Sequence, residues 1–401
     1  MRDFLRDSTA SKLLIGKALG ALGSWLDHRH GPDLHDGMHL DPQIRAAVTA
    51  KAWIKMPEIQ TAPPSKARKL YAAQIAPFDL RLEPMARVEE ITIPGPAGPL
   101  PVRIFWPEGA AQAGPKGAAS TRGAPALVWF HGGGFVVGSP RTCEPALRRM
   151  AARGRFVALS VGYRLAPEDP CPAAHDDALA AWRYLTDHAE AFGLDPARIA
   201  IGGDSAGGNL AACVCLKARD DDAIRAPAFQ ALVYPATDFT RSMASHETFA
   251  EGYMLTRALA NWFLDQYIPN GVAHIPNRVD PIPNGVDPVP NGVAHIPDRV
   301  GRSPRAVAVR VDRRDPAVSP LFAKDLSGLP PGVILTAGFD ILRDEGRAYA
   351  RSLQRAGNDV EDNCAEGLVH GFFSLSGVVD AARNAIDNLA AQIASGLSIG
   401  G

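Results

Sequence analysis

The stretch Ile199-Ala200-Ile201-Gly202-Gly203-Asp204-Ser205-Ala206-Gly207-Gly208-Asn209 constrains this chain more than any other. The β-branched run over 198–201 reads as a short buried strand. The small-residue run from Ala206, free of proline until Pro227, reads as a helix. Between them lies Gly203-Asp204-Ser205-Ala206-Gly207, a G-x-S-x-G. So sharp a turn from strand into helix strains the serine backbone, and only glycines two positions to either side leave room for it. The turn lifts the Ser205 hydroxyl into solvent at the edge of a sheet, with a helix N-terminus behind it that favours negative charge nearby. In a chain with 38 glycines the five-residue pattern is weak alone, and its strand–turn–helix setting gives it weight.

The flanking sequence repeats that alternation. Strands are expected over 126–130, 156–161, 198–201, 229–234 and 333–336, and helices over 142–152, 173–192, 206–218, 343–356 and 380–394. This order implies an α/β fold with a mostly parallel sheet covered on both faces. Upstream, 88–93 and 102–106 alternate around Pro94-Gly95-Pro96 and read as an antiparallel pair. Asp41-Pro42 reads as an N-cap with proline in the first helical position, and a second helix is expected over 65–74.

The rest of the chain narrows the function classes. Its 401 residues suffice for one large domain with decorations, and a net charge of −1 gives no reason to invoke nucleic acid or an anionic membrane as partner. No apolar run approaches the ~20 residues that span a bilayer, and no signal-peptide cleavage site is in position. Five cysteines, without C-x-x-C spacing, read as free thiols in a reducing, cytoplasmic compartment. Phe4, Leu14, Ala18, Leu22 and Trp25 recur at helical spacing, so a helix packed on the domain is expected in the first 38 residues, ahead of a membrane-surface anchor. Residues 108–125 read as a flexible loop. Residues 269–303 repeat every seven (PNGVAHI, PNRVDPI, PNGVDPV, PNGVAHI, PDRVGRS), with too little apolar surface per unit to stack as a solenoid. They read as an extended, disordered insertion, and His274 and His295 in it lack the rigid frame a metal site needs.

An exposed serine on such a turn becomes chemically useful with a histidine base, a carboxylate to orient it and main-chain donors for an oxyanion, in the chain order serine, acid, histidine. His131-Gly132-Gly133-Gly134 follows the strand ending at Phe130, and its glycines let main-chain N–H groups turn toward a substrate carbonyl. His131 itself precedes the serine and reads as structural. Asp340 stands at the C-terminal end of the strand in Gly332-Val333-Ile334-Leu335-Thr336, where parallel sheets present their chemistry. Asp344 and Glu345 follow on the next helix and read as a solvated face. Of eleven histidines only His370 lies downstream of the acid.

Taken together, HGGGF (131–135), Tyr163-Arg164-Leu165-Ala166-Pro167-Glu168, GDSAGG (203–208), Tyr234-Pro235, Asp340-Ile341-Leu342-Arg343-Asp344-Glu345 and His370-Gly371-Phe372 make a chain that resembles the hormone-sensitive-lipase-like (family IV) carboxylesterases of the α/β-hydrolase fold. The resemblance covers most of 40–390. It implies a core over 86–236 and 304–401 and a helical cap from 39–85 and 237–268, with 1–38 and 269–303 as additions. It further implies Ser205 as nucleophile, Asp340 and His370 as its partners, and Gly133, Gly134 and Ala206 as oxyanion donors. Phe135, Tyr163 and Tyr253 would line the pocket, while Glu168 and Asp204 would give supporting hydrogen bonds. The implied substrate is a small ester of short to medium acyl chain within lipid metabolism, needing no metal or organic cofactor; a homodimer is compatible with the sequence. Two other readings use the same parts: an amidase or lactam hydrolase, and a non-catalytic small-ligand receptor. The intact histidine argues against the latter.

Overall fold

The computed structural model describes residues 9–110, 123–268 and 311–398. The centre of the loop at 108–125 and the seven-residue repeats at 269–303 lie outside the described residues.

Five strands are buried along most of their length, as strands covered on both faces are: β5 (Ala124–Phe130), β6 (Val157–Val161), β7 (Leu194–Asp204), β8 (Phe229–Val233) and β9 (Gly332–Phe339). With β3 (Arg87–Ile93), β4 (Leu100–Trp106) and β10 (Val360–Val369) they form an eight-stranded sheet in the order β10-β9-β8-β7-β5-β6-β4-β3. Only the β4 pairings, to β3 and β6, are antiparallel. Alternate residues of β5 point into different cores. Ala126, Val128 and Phe130 join one apolar cluster with α5 (Ala173–Asp187), α6 (Ala206–Asp220) and α9 (Arg343–Arg355). Leu127 and Trp129 join another with α4 (Glu144–Gly154) and α10 (Asp380–Gly396).

Two expectations needed correction. Strand β10 was not foreseen, because Val360-Glu361-Asp362-Asn363-Cys364 is polar; it pairs only with β9, and an edge strand has no second neighbour to bury it. The N-terminal helix, α1 (Thr9–His30), does pack on the domain, but Leu14 and Trp25 are exposed. It docks instead through Gly16, Gly23 and Leu26 against α2 (Pro42–Trp53) and the 378 carbonyl, close enough that a Cβ on Gly23 would overlap Pro42.

A short β1–β2 hairpin (Leu34–His35 and Met38–His39) joins α1 to α2. The Asp41 carboxylate caps α2 by accepting from the N–H of Gln43 (2.8 Å) and Ile44 (3.2 Å), the local pattern Asp-Pro announces. From α3 (Pro64–Ile75), Arg68 reaches the sheet end, donating to the carbonyls of Val136 (2.8 Å) and Ala166 (2.9 Å) and pairing with Glu168. After β8 come α7 (Ser245–Thr248) and α8 (Arg257–Tyr267), the latter capped by Thr256, whose side chain accepts from Leu259 N–H at 3.2 Å. These segments lie over the C-terminal ends of the parallel strands.

Candidate active site

Strand β7 ends at Asp204 and helix α6 begins at Ala206, which leaves Ser205 alone in the turn with φ 57° and ψ −117°. A non-glycine residue there is strained and persists only where its surroundings hold it. A Cβ on Gly203 would overlap the backbone of Gly207, and one on Gly207 would overlap the Phe130 carbonyl, so both flanking glycines are demanded by close approach. The Ser205 N–H is engaged by the Val233 carbonyl of β8 at 2.8 Å, fixing the turn against the neighbouring strand.

Asp340 follows β9 and His370 follows β10, so both side chains emerge at the same sheet end as the serine. His370 Nε2 lies 2.9 Å from Ser205 Oγ, and His370 Nδ1 lies 2.8 Å from Asp340 Oδ2. The Asp340 carboxylate is buried and receives the Leu342 N–H at 2.9 Å, which holds its other oxygen. The Tyr234 ring, its centroid 4.6 Å from that of His370, packs beside the imidazole. Three residues chosen from the sequence for their order are thus joined in one hydrogen-bonded chain, each from a different strand end.

The glycine loop bends as its composition requires: Gly133 has φ 119° and Gly134 φ 59°. A Cβ on Gly134 would overlap the Phe263 ring of α8, so glycine here also makes room for that helix. Among the described residues no protein acceptor takes the N–H of Gly133, Gly134 or Ala206, leaving three main-chain donors near the serine. The loop is tied down by Asp204, whose Oδ1 accepts from Gly132 N–H (3.0 Å) and Trp129 Nε1 (3.1 Å). Burial pushes the Asp204 carboxyl up to about 6 against the pull of those donors. His131 stacks on the Tyr163 ring with centroids 4.3 Å apart, sets Nδ1 2.8 Å from the Gly132 carbonyl, and is pushed down to about 4 by burial. It is a neutral structural group.

A cavity of about 280 Å³ holds Ser205, His370, Gly133, Gly134 and Ala206 in its lining, with α2, α3 and α8 contributing Ala50, Tyr71, Leu259 and Phe263. Phe135 lines it, stacked on Tyr267 at 4.0 Å. Tyr163 and Tyr253 do not belong to that lining. The Tyr163 hydroxyl is spent on the His131 carbonyl (2.6 Å), and Tyr253 packs on Phe249 and Phe339 with its hydroxyl 3.2 Å from Asp33. Glu345, expected on a solvated face, is fully buried, because the N-terminus of α9 abuts the segment after β8. Its Oε1 accepts from Thr237 N–H (2.7 Å) and Asp238 N–H (3.1 Å), and its Oε2 lies 2.6 Å from His246 Nε2. His246, Glu345 and Arg241 reach the cavity wall, and nothing in their sequence spacing marks them.

The sheet order, the serine turn and the hydrogen-bonded chain at the strand ends define an α/β hydrolase. A family profile described as alpha/beta hydrolase fold matches residues 127–290 and 297–374, and the chain belongs to that family, within it to the hormone-sensitive-lipase-like branch. Carboxylic ester hydrolase LipN of Mycobacterium tuberculosis is 39% identical over 292 residues, 72% of this chain and 65% of that protein, so the match spans just under two thirds of LipN. Ethyl acetate hydrolase of Pseudomonas putida is 33% identical over 283 residues, 71% of this chain and 74% of that protein. Among solved structures, LAE6, an alpha/beta hydrolase enzyme from the metagenome of Lake Arreo, Spain, superposes with TM-score 0.74 at 36% identity, covering 90% of this chain and 99% of that one.

Proposed function

We propose that the protein is a carboxylic ester hydrolase working through an acyl-enzyme. The observation that carries this reading is the 2.9 Å approach of His370 Nε2 to an elbow-strained Ser205 Oγ, with Asp340 behind the imidazole. Ser205 Oγ attacks the ester carbonyl while His370 takes its proton. Asp340 holds the tautomer with Nε2 free to accept and stabilises the imidazolium that forms. The N–H groups of Gly133, Gly134 and Ala206 receive the oxyanion, each such donor typically contributing ~3–4 kcal/mol of transition-state stabilisation. The imidazolium then protonates the departing alkoxide, and water repeats the steps in reverse to release the acid.

The names of the two relatives above favour ester hydrolysis over amide hydrolysis, and the cavity of about 280 Å³ suits acyl chains of short to medium length. The five free cysteines fit a reducing cytoplasm, and no helix among the described residues is long and apolar enough to cross a membrane. Ser205→Ala, assayed on p-nitrophenyl butyrate, is expected to lose on the order of 10⁴-fold or more in kcat, and a fluorophosphonate probe should label the wild type only. Near wild-type turnover in the variant would remove the nucleophile assignment. An acyl-length series peaking at dodecanoate or beyond would remove the chain-length assignment.

A further inference from the structure

Two cations reach the lining of the otherwise largely apolar cavity, Lys51 and Arg241. Lys51 has Glu58, also in the lining, as a nearby opposite charge. Arg241 has none. Among the described residues its side chain makes a single hydrogen bond, to the Ala260 carbonyl of α8, and no carboxylate lies within ion-pairing distance. The acids around it are already committed. Glu345 is held by two main-chain N–H groups and His246, and Asp238 accepts from Thr240 N–H (2.7 Å) and Ser242 Oγ (2.9 Å). Asp265, a third acid whose field reaches Arg241, is exposed on α8. Arg313 adds a second positive charge to the neighbourhood, and burial together with that repulsion pulls the Arg241 guanidinium down to about 10.

The backbone tells the same story. Arg241 sits at φ 58°, a conformation a long side chain avoids unless something fixes it. A half-buried guanidinium with unused N–H donors is costly unless an anion completes it, and its planar fork matches a carboxylate. The cavity that holds this unpaired fork also holds Ser205.

We infer that Arg241 is a specificity-determining residue that receives a carboxylate carried by the substrate, so that the cavity takes monoesters of dicarboxylic acids in preference to uncharged esters of the same length. This assignment rests on the ester-hydrolase reading and narrows it. The bound monoester presents its ester carbonyl to Ser205 and its free acid group to Arg241. Hydrolysis releases the dicarboxylate and an alcohol.

The test compares monoethyl adipate with ethyl hexanoate, which share a six-carbon acyl chain and differ in a terminal carboxylate, by pH-stat on the full-length wild type and Arg241→Gln. The ratio of kcat/KM for the two esters is expected to fall about tenfold or more in the variant, the size of a lost charge-assisted hydrogen bond. A ratio unchanged within about twofold overturns the assignment. Because loss of the Ala260 contact could disturb α8, the wild type supplies an independent measurement. Its KM for monoethyl adipate should rise severalfold between about 20 and about 500 mM NaCl while that for ethyl hexanoate does not, and a common response of both esters counts against the proposal. Turnover of ethyl hexanoate with an unchanged ratio overturns the carboxylate assignment alone. Failure of the wild type on both esters and on p-nitrophenyl butyrate sinks the ester-hydrolase reading with it.

Discussion

At the scale of single residues, geometry separates groups the sequence placed side by side. Asp340 faces His370 at 2.8 Å, whereas Asp344, four positions on, accepts the Ser245 N–H (2.9 Å) and pairs with Arg343. Asp340→Asn is therefore expected to lose on the order of 10³–10⁴-fold in kcat by favouring the wrong imidazole tautomer. Asp344→Asn should stay within a few-fold, and a larger loss from Asp344→Asn on p-nitrophenyl butyrate would reverse the assignment. His131 gives a second prediction, for stability. Burial pushes its ring down to about 4 in the folded chain, below the ordinary histidine value of 6.5. As the pH drops from about 6.5 toward 4, the unfolded chain binds a proton that the native state refuses, so stability present above that window is lost through it. Relative to His131→Gln, the wild type should lose about 3 kcal/mol more over this range by chemical denaturation; parallel pH profiles would contradict it. Chain order was enough to select His370, since no other histidine follows the acid. Arg241 had no such mark. It is one of 42 basic residues, and only its place in the cavity wall with a single hydrogen bond and no ion pair among the described residues sets it apart.

Elements were legible where their periodicity came from burial. Helix α8 spans Arg257–Tyr267 inside the cap stretch 237–268 that the resemblance implied, with Leu264 and Tyr267 buried at helical spacing. The edge strand β10 was hidden because strand pairing on one side asks little of its side chains. In α1 the apolar spacing pointed to the wrong face. Gly16, Gly20 and Gly23 form the docking side, and a glycine face carries no hydrophobic signal. That contact is main chain on main chain, reinforced by Gln43 Nε2 donating to the Gly16 carbonyl at 3.0 Å. An added methyl at Gly23 meets the Pro42 backbone, which cannot yield by changing rotamer. Gly23→Ala should cost about 1–3 kcal/mol despite the better helix propensity of alanine, lowering Tm and opening 31–41 to protease. Ala18→Ser, on the exposed side of the same helix, should stay within about 0.5 kcal/mol; equal shifts for the two variants would refute the docking face.

Over the whole molecule, strand–helix alternation was enough to announce the parallel sheet, because covering both faces forces apolar strands and amphipathic helices to take turns. The cavity was less legible, since its walls come from the neighbouring α2 and α3 and from α8, far along the chain from both and brought to them only over the strand ends. The same long-range architecture bears on the seven-residue repeats. Ile268, just before them, and Val311, just after, are both buried in the apolar cluster that also holds Phe130 and Ala206, so the chain is anchored on each side by the core itself. Loop-closure free energy changes by only about 0.6 kcal/mol for each doubling of length. The stability of the core should therefore depend little on how many repeats separate the two anchors. Excision of 269–303 leaves seven residues, 304–310, between Ile268 and Val311 once 269–303 are gone. The shortened chain is expected to keep Tm within a few degrees and turnover of p-nitrophenyl butyrate within a few-fold. If turnover instead collapsed while circular dichroism and Tm stayed those of the parent, the repeats would belong to the route by which substrate reaches Ser205.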